Sequence, residues 1–168
     1  ISGFKVADAG VMIVNATQGV EVGTEIFARY ADQYKMPLII GVNQLDSEKA
    51  SWETTIDSLK QTFGNKVVPV QFPVAVGPGF DGFVDVLKQK LYRFKDENGT
   101  REDLEIPAEF ADQAEEYRLA LMEAAAQNDE ELMEKYFGAE EMRLQYEEKL
   151  AVARDEADGI VRTAQQTA

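Results

Sequence analysis

The sequence predicts an α/β protein in three parts: a parallel sheet with flanking helices, a small acidic α+β subdomain, and one long closing helix. Three observations carry this. Short apolar runs alternate with stretches whose apolar residues recur every three or four positions, the pattern of strand, helix and strand in a parallel sheet. Acidic and basic side chains balance at ten each over residues 1–95, whereas residues 96–168 hold 21 acidic and seven basic, so the whole net charge of −14 falls in the second part. Residues 139–166 contain no proline and one glycine, and their apolar positions step by four and three. The expected divisions are 1–94, 95–138 and 139–168.

In order along the chain, the run from Ala9 to Val14 reads as a first buried strand, with the Asn15-Ala16-Thr17-Gln18-Gly19 turn after it. Ile26, Phe27, Tyr30, Ala31 and Tyr34 share one helical face, and Pro37 is the expected stop. Pro37 to Val42 is short, apolar and β-branched, as a fully buried parallel strand should be. A second helix is expected from Ser47 onward, with Trp52, Ile56, Leu59 and Phe63 inward and Gly64-Asn65 at its end. Residues 67–74 read as a strand, and Pro69 and Pro73 mark it as an edge or broken one. After the Gly77-Pro78-Gly79 loop, Phe83, Val86, Leu87 and Leu91 predict a short helix.

From Tyr92 the pattern changes. Tyr92-Arg93-Phe94 and Leu104-Glu105-Ile106 flank Asn98-Gly99, which predicts an antiparallel hairpin. Pro107 is suited to the first residue of a helix with Phe110, Ala114, Tyr117, Leu121 and Ala124 on its face. Leu132, Met133, Tyr136 and Phe137 predict a shorter helix ending at Gly138, and Tyr146, Leu150, Ala153, Ala157, Ile160 and Ala164 a long one. This last helix reads either as a solvated amphipathic helix covering one face or, because an Ala-rich seam buries little alone, as one that pairs in a dimer.

Composition removes several chemistries. With 45% apolar and 29% charged residues the chain is a globular protein, and no apolar stretch approaches a membrane span. Cysteine and histidine are absent, which excludes disulfides, thiolate nucleophiles, histidine bases and zinc sites, and agrees with a cytoplasmic setting. No catalytic residue and no metal ligand are expected. The acidic second part is not expected to bind nucleic acid directly, because phosphate contact requires Lys and Arg. Paired acids such as Glu115-Glu116 and Glu130-Glu131 point apart on a helix and read as solvated faces. Trp52 and Tyr30, Tyr34, Tyr117 and Tyr136 read as packing residues. The chain opens on Ile1 almost directly into a strand, so it reads as a piece of something longer.

The site candidate is Val42-Asn43-Gln44-Leu45-Asp46, which opens the loop at the carboxyl end of the second strand, the edge where ligands bind in open α/β sheets. Asn43 and Asp46 have the spacing with which nucleotide-binding proteins read guanine. The Asn amide contacts the base edge, and the Asp carboxylate accepts from the N1 and N2 donors that adenine does not present together. Gln44 stands where a lysine stem usually lies on the base. The competing reading is a turn after a strand, where Asn and Asp are common.

Together with residues 7–25, which are similar to the strand and helix start after switch II, with Gln71-Phe72-Pro73-Val74 and residues 79–85, and with residues 105–110 and 134–137, this loop makes the chain resemble the bacterial elongation factor G family over roughly residues 3–142. The resemblance implies part of a P-loop GTPase-type sheet carrying the family's insertion subdomain. It implies guanine contacts at Asn43, Gln44 and Asp46, and a parent that uses GTP/GDP in ribosomal translocation. Its insertion would meet the ribosome and its stalk protein. No Gly-x-x-x-x-Gly-Lys-[Ser/Thr] loop is present, so Mg2+ and the phosphates would be held by residues outside this segment, no tightly bound nucleotide is expected here, and the segment alone is expected to be inactive. Residues 146–158 are more similar to the stalk helix of ATP synthase subunit b. The alternative function is a non-catalytic module that binds a partner through its acidic helices.

Overall fold

The computed structural model describes residues 3–96 and 99–127, and beyond these the single positions 131, 134, 135 and 138. Contacts divide the chain into two units, Ile1–Leu121 and Met122–Ala168. The expected long helix and the apolar residues of the short one before it lie outside the described residues, as does Asn98.

Strand β1 (Gly10–Asn15), helix α1 (Val22–Gln33) and strand β2 (Leu38–Asn43) form the predicted strand-helix-strand unit. β1 and β2 pair in parallel, from Gly10 opposite Leu38 to Asn15 opposite Asn43. Helix α1 ends earlier than Pro37 requires. Lys35 turns left-handed at φ 52°, Met36 N donates to Ala31 O at 2.8 Å and Lys35 N to Asp32 O at 3.0 Å, the paired bonds of a Schellman stop. Around its outer side Phe4 sits 4.9 Å from the Phe27 ring and 5.9 and 6.1 Å from Tyr30 and Tyr34. These tyrosines are packing residues.

Helix α2 runs Trp52–Phe63 rather than from Ser47. Residues 47–50 are spent on tight turns, with Ser47 N bonded to Gln44 O and Ala50 N to Ser47 O, and Ser51 then caps the helix by accepting from Thr54 N at 3.3 Å. Gly64, at φ 73°, ends it as expected.

The buried strand prediction for β1 and β2 is half right. Met12 and Val14 are buried and pack with Ile40, Val42 and the inner residues of α1 and α2, but Val11, Ile13 and Ile39 on the opposite face are 61–65% exposed. The helices cover one face only.

Beyond α2 the chain forms an antiparallel sheet in sequential order: β3 (Gln71–Pro73), β4 (Gly82–Asp85), β5 (Lys90–Phe94) and β6 (Arg101–Leu104). The proline-flanked β3 is an edge strand, three residues long. The helix predicted over Phe83 to Leu91 is instead the β4–β5 hairpin, with Val84 opposite Leu91. Its apolar residues fit helical spacing, but Asp85 Oδ1 accepts from Lys88 N at 2.9 Å and Gln89 adopts φ 53°, which turns the chain back. Leu87 is left 71% exposed at the turn. Gly82 is required here, since a Cβ would lie 2.4 Å from Tyr92 O across the ladder.

The β5–β6 hairpin falls where one is predicted, but its second strand is Arg101–Leu104 rather than Leu104 to Ile106. Lys95 N donates to Thr100 O at 2.7 Å, and Gly99 takes φ 79°. Helix α3 (Ala108–Ala126) starts immediately after Pro107. Its Phe110 and Tyr117 rings lie 6.3 and 5.4 Å from the Phe72 ring, and Ala114 is buried beside them. Met12, Val14, Trp52, Ile56, Leu59, Phe72, Val84, Leu91, Ala114 and Tyr117 form one continuous apolar cluster, so both sheets of this unit share a core.

Candidate functional site

Parallel pairing places the carboxyl ends of β1 and β2 side by side, and the candidate residues lie at that edge. Asn43 is the last residue of β2; its backbone carbonyl accepts from Ala16 N at 2.9 Å, which leaves its side chain for the loop. Leu45 is half-buried against the core while Asn43, Gln44 and Asp46 are exposed. One apolar residue anchors the loop while its polar neighbours are exposed.

Two long-range bonds fix the loop. Gly77 N, in the loop between β3 and β4, donates to Leu45 O at 2.7 Å. Asn15 Nδ2 donates to Gln44 Oε1 at 2.7 Å. The floor is a third set of contacts, in which Ala16 O accepts from Ser51 N at 3.2 Å and from the buried Thr55 Oγ1 at 3.1 Å. The loop after β1, the candidate loop and the start of α2 therefore meet at one point.

Gln44 has φ 61°, a left-handed conformation that non-glycine residues seldom adopt. Among the described residues, no hydrogen bond engages the side chain of Asn43 or Asp46, although both sit on an anchored loop. An amide and a carboxylate held at a sheet edge, exposed and uncommitted, suit a planar ligand that offers an acceptor-donor edge and a pair of adjacent N–H donors. Among the described residues no group of three or more His, Cys, Asp or Glu could hold a metal ion.

Asn43, Gln44 and Asp46 were legible in the sequence; Asn15 and Gly77 were not assigned to the site. The one signal for Asn15 was its place at the end of the first parallel strand, opposite Asn43. Gly77 gave no such signal, because its approach to Leu45 depends on how the second sheet meets the first.

Comparison with known proteins agrees with the geometry. Residues 1–152 match the family model described as the elongation factor Tu GTP binding domain, ten residues beyond the extent of the sequence resemblance. The chain is 37% identical over 155 residues to an elongation factor G-like protein of Thermotoga maritima, covering 92% of this chain and 22% of that protein. It therefore spans about a fifth of that relative's length. A crystal structure of a Thermus thermophilus protein superposes with a TM-score of 0.71 at 32% identity, over 81% of this chain and 20% of the other.

Proposed function

Because the chain belongs to the elongation factor Tu GTP-binding domain family of translational GTPases, we propose that it is the guanine-reading part of a GTPase that drives ribosomal translocation. In this reading Asn43 contacts the base edge, Asp46 accepts from N1 and N2 of guanine, and the Gln44 stem lies near the base in place of a lysine. The observation that carries it is the pair of uncommitted polar side chains, Asn43 and Asp46, on a loop pinned at Leu45 and Gln44.

The remaining parts follow the same reading. Residues 1–94 hold the base-reading half and 95–138 the acidic insertion that meets the ribosomal stalk protein. The phosphates and Mg2+ are held by residues outside this segment, so the segment alone does not turn over GTP. The protein works in the cytoplasm, consistent with the absence, among the described residues, of any helix long and apolar enough to cross a membrane. A second reading, a non-catalytic module, is favoured by one feature: the excess of 14 acidic over basic side chains in residues 96–168 suits a basic partner.

Isothermal titration of GDP and ADP into the whole protein that carries this segment tests the proposal. GDP should bind and ADP should not. Asp46→Ala should weaken GDP by at least about a hundredfold, since two charge-assisted hydrogen bonds are lost together. A whole protein that binds no guanine nucleotide would sink the GTPase reading and leave the binding module.

A further inference from the structure

We infer that Asn15 is a positioning residue for the base-reading loop, matched to glutamine at position 44. The inference rests on the proposed guanine contacts of Asn43 and Asp46. Asn15 ends β1 directly opposite Asn43 in the parallel ladder. Its Oδ1 accepts from Thr17 N and from Thr17 Oγ1, both at 2.8 Å. An oxygen held by two donors fixes the plane of the amide, so the Nδ2 donor can only face the neighbouring loop. There it meets Gln44 Oε1 at 2.7 Å, 29 positions along the chain.

That bond acts on a residue whose backbone resists its conformation. Gln44 stands at φ 61°, and its carbonyl accepts from Ser47 N at 3.2 Å. Relaxation of Gln44 to an ordinary negative φ would swing the following peptides and carry the Asp46 carboxylate away from its place relative to Asn43. The side-chain bond to Asn15 offsets this tendency. It also engages the oxygen of the Gln44 amide, which leaves Nε2 as the end facing outward; among the described residues Nε2 has no partner.

The pairing explains the residue at 44. A lysine there would set an ammonium, which has only donors, against the Asn15 Nδ2 donor, while the Asn15 oxygen stays committed to Thr17. A glutamine supplies the acceptor that Asn15 needs. Asn15 and Gln44 thus form a neutral amide clamp in which each residue requires the other.

A double-mutant cycle in the whole protein tests the clamp, with GDP and IDP affinities measured for wild type, Asn15→Ala, Gln44→Ala and the double variant. Loss of one hydrogen bond that holds the loop should weaken GDP about fivefold in Asn15→Ala, and less than about twofold when Gln44 is already alanine. IDP lacks the N2 donor, so the preference for GDP over IDP should fall in both single variants as Asp46 loses its pose. Equal factors in the two backgrounds would show that Asn15 acts only through Thr17, and would overturn the inference. Should Asn15→Ala fail to fold, Gln44→Ala decides alone, since position 44 is exposed; unchanged GDP affinity and unchanged GDP preference there overturn the clamp. A wild type that binds no GDP removes the underlying reading as well, which separates the two failures.

Discussion

The two sheets of the first unit divide the work. The β1–β2 pair is a thin scaffold: two parallel strands, helices on one face, three large apolar residues exposed on the other, and the candidate loop at its edge. The β3–β6 meander is an open sheet of sequentially paired antiparallel strands, with α3 packed on its inner face and ion pairs such as Lys95 with Glu102 between its last two strands. At the edge of the first region the side chains of Asn43 and Asp46 have no hydrogen-bond partner among the described residues. The candidate loop that carries them takes its rigidity from the neighbouring sheet through the bond between Leu45 and Gly77.

This contrast can be broken most strongly at Phe72. The side chain is 1% exposed and touches Phe110 and Tyr117, so Phe72→Ala should cost about 3–5 kcal/mol. Because Phe72 shares a core with Trp52 in the other region, the indole fluorescence and far-ultraviolet circular dichroism should report one urea transition moved to lower concentration. Two separate transitions would mean that the regions are independent. Gly77→Ala sharpens the contrast. At φ 83° alanine is disfavoured by roughly 1–2 kcal/mol, while a Cβ would lie no closer than 3.7 Å to Ser47 O. The expected result is a modest loss of stability with a larger loss of GDP binding by the whole protein, and a stability loss without any binding effect would detach Gly77 from the site.

The smallest effect concerns the meander's surface. The Lys90 ammonium bonds to the Glu105 carboxylate, which raises the lysine above its ordinary value of 10.5 by hydrogen bond and charge, against a small opposing effect of burial. A raised lysine stabilises the fold below the unfolded value, and the benefit disappears as pH rises through the folded one. Glu105→Gln should therefore lower stability slightly near neutral pH, as expected for an exposed pair, and converge with wild type as pH rises above 10.5, which flattens the alkaline decline measured by urea melts between about pH 8 and 11.

Local chemistry was legible in the sequence and long-range placement was not. The change of pattern after Tyr92, with Gly99 before the second strand, signalled the β5–β6 hairpin because turn preferences are local, and the short apolar β1 and β2 runs on either side of a helical stretch signalled their parallel pairing. Phe83, Val86, Leu87 and Leu91 misled because a four-residue hairpin turn also returns apolar residues at spacings of three and four. Asp85, whose carboxylate builds that turn, carried the correct signal. Ser47 to Ala50 read as a helix start from composition, but their backbone groups are engaged in turns that the candidate loop requires. In the site, Asn43 and Asp46 announce themselves by spacing, whereas Asn15 acts across 29 positions and Gly77 across 32, distances that no local pattern encodes.

The meeting of Asn15, Gln44, Leu45 and Gly77 has a consequence for where the chain can change length. The segment between Leu45 and Gly77 holds α2 and β3, and lengthening a turn within it costs only about 0.6 kcal/mol per doubling of that turn. Extra residues in the exposed turn at Gly64 should leave the knot of contacts tied, because the ends of that turn stay where they are. One extra residue between Asn43 and Asp46 would shift Leu45 out of the core or Gln44 away from Asn15. Natural or engineered insertions should therefore collect at the first place and be missing from the second.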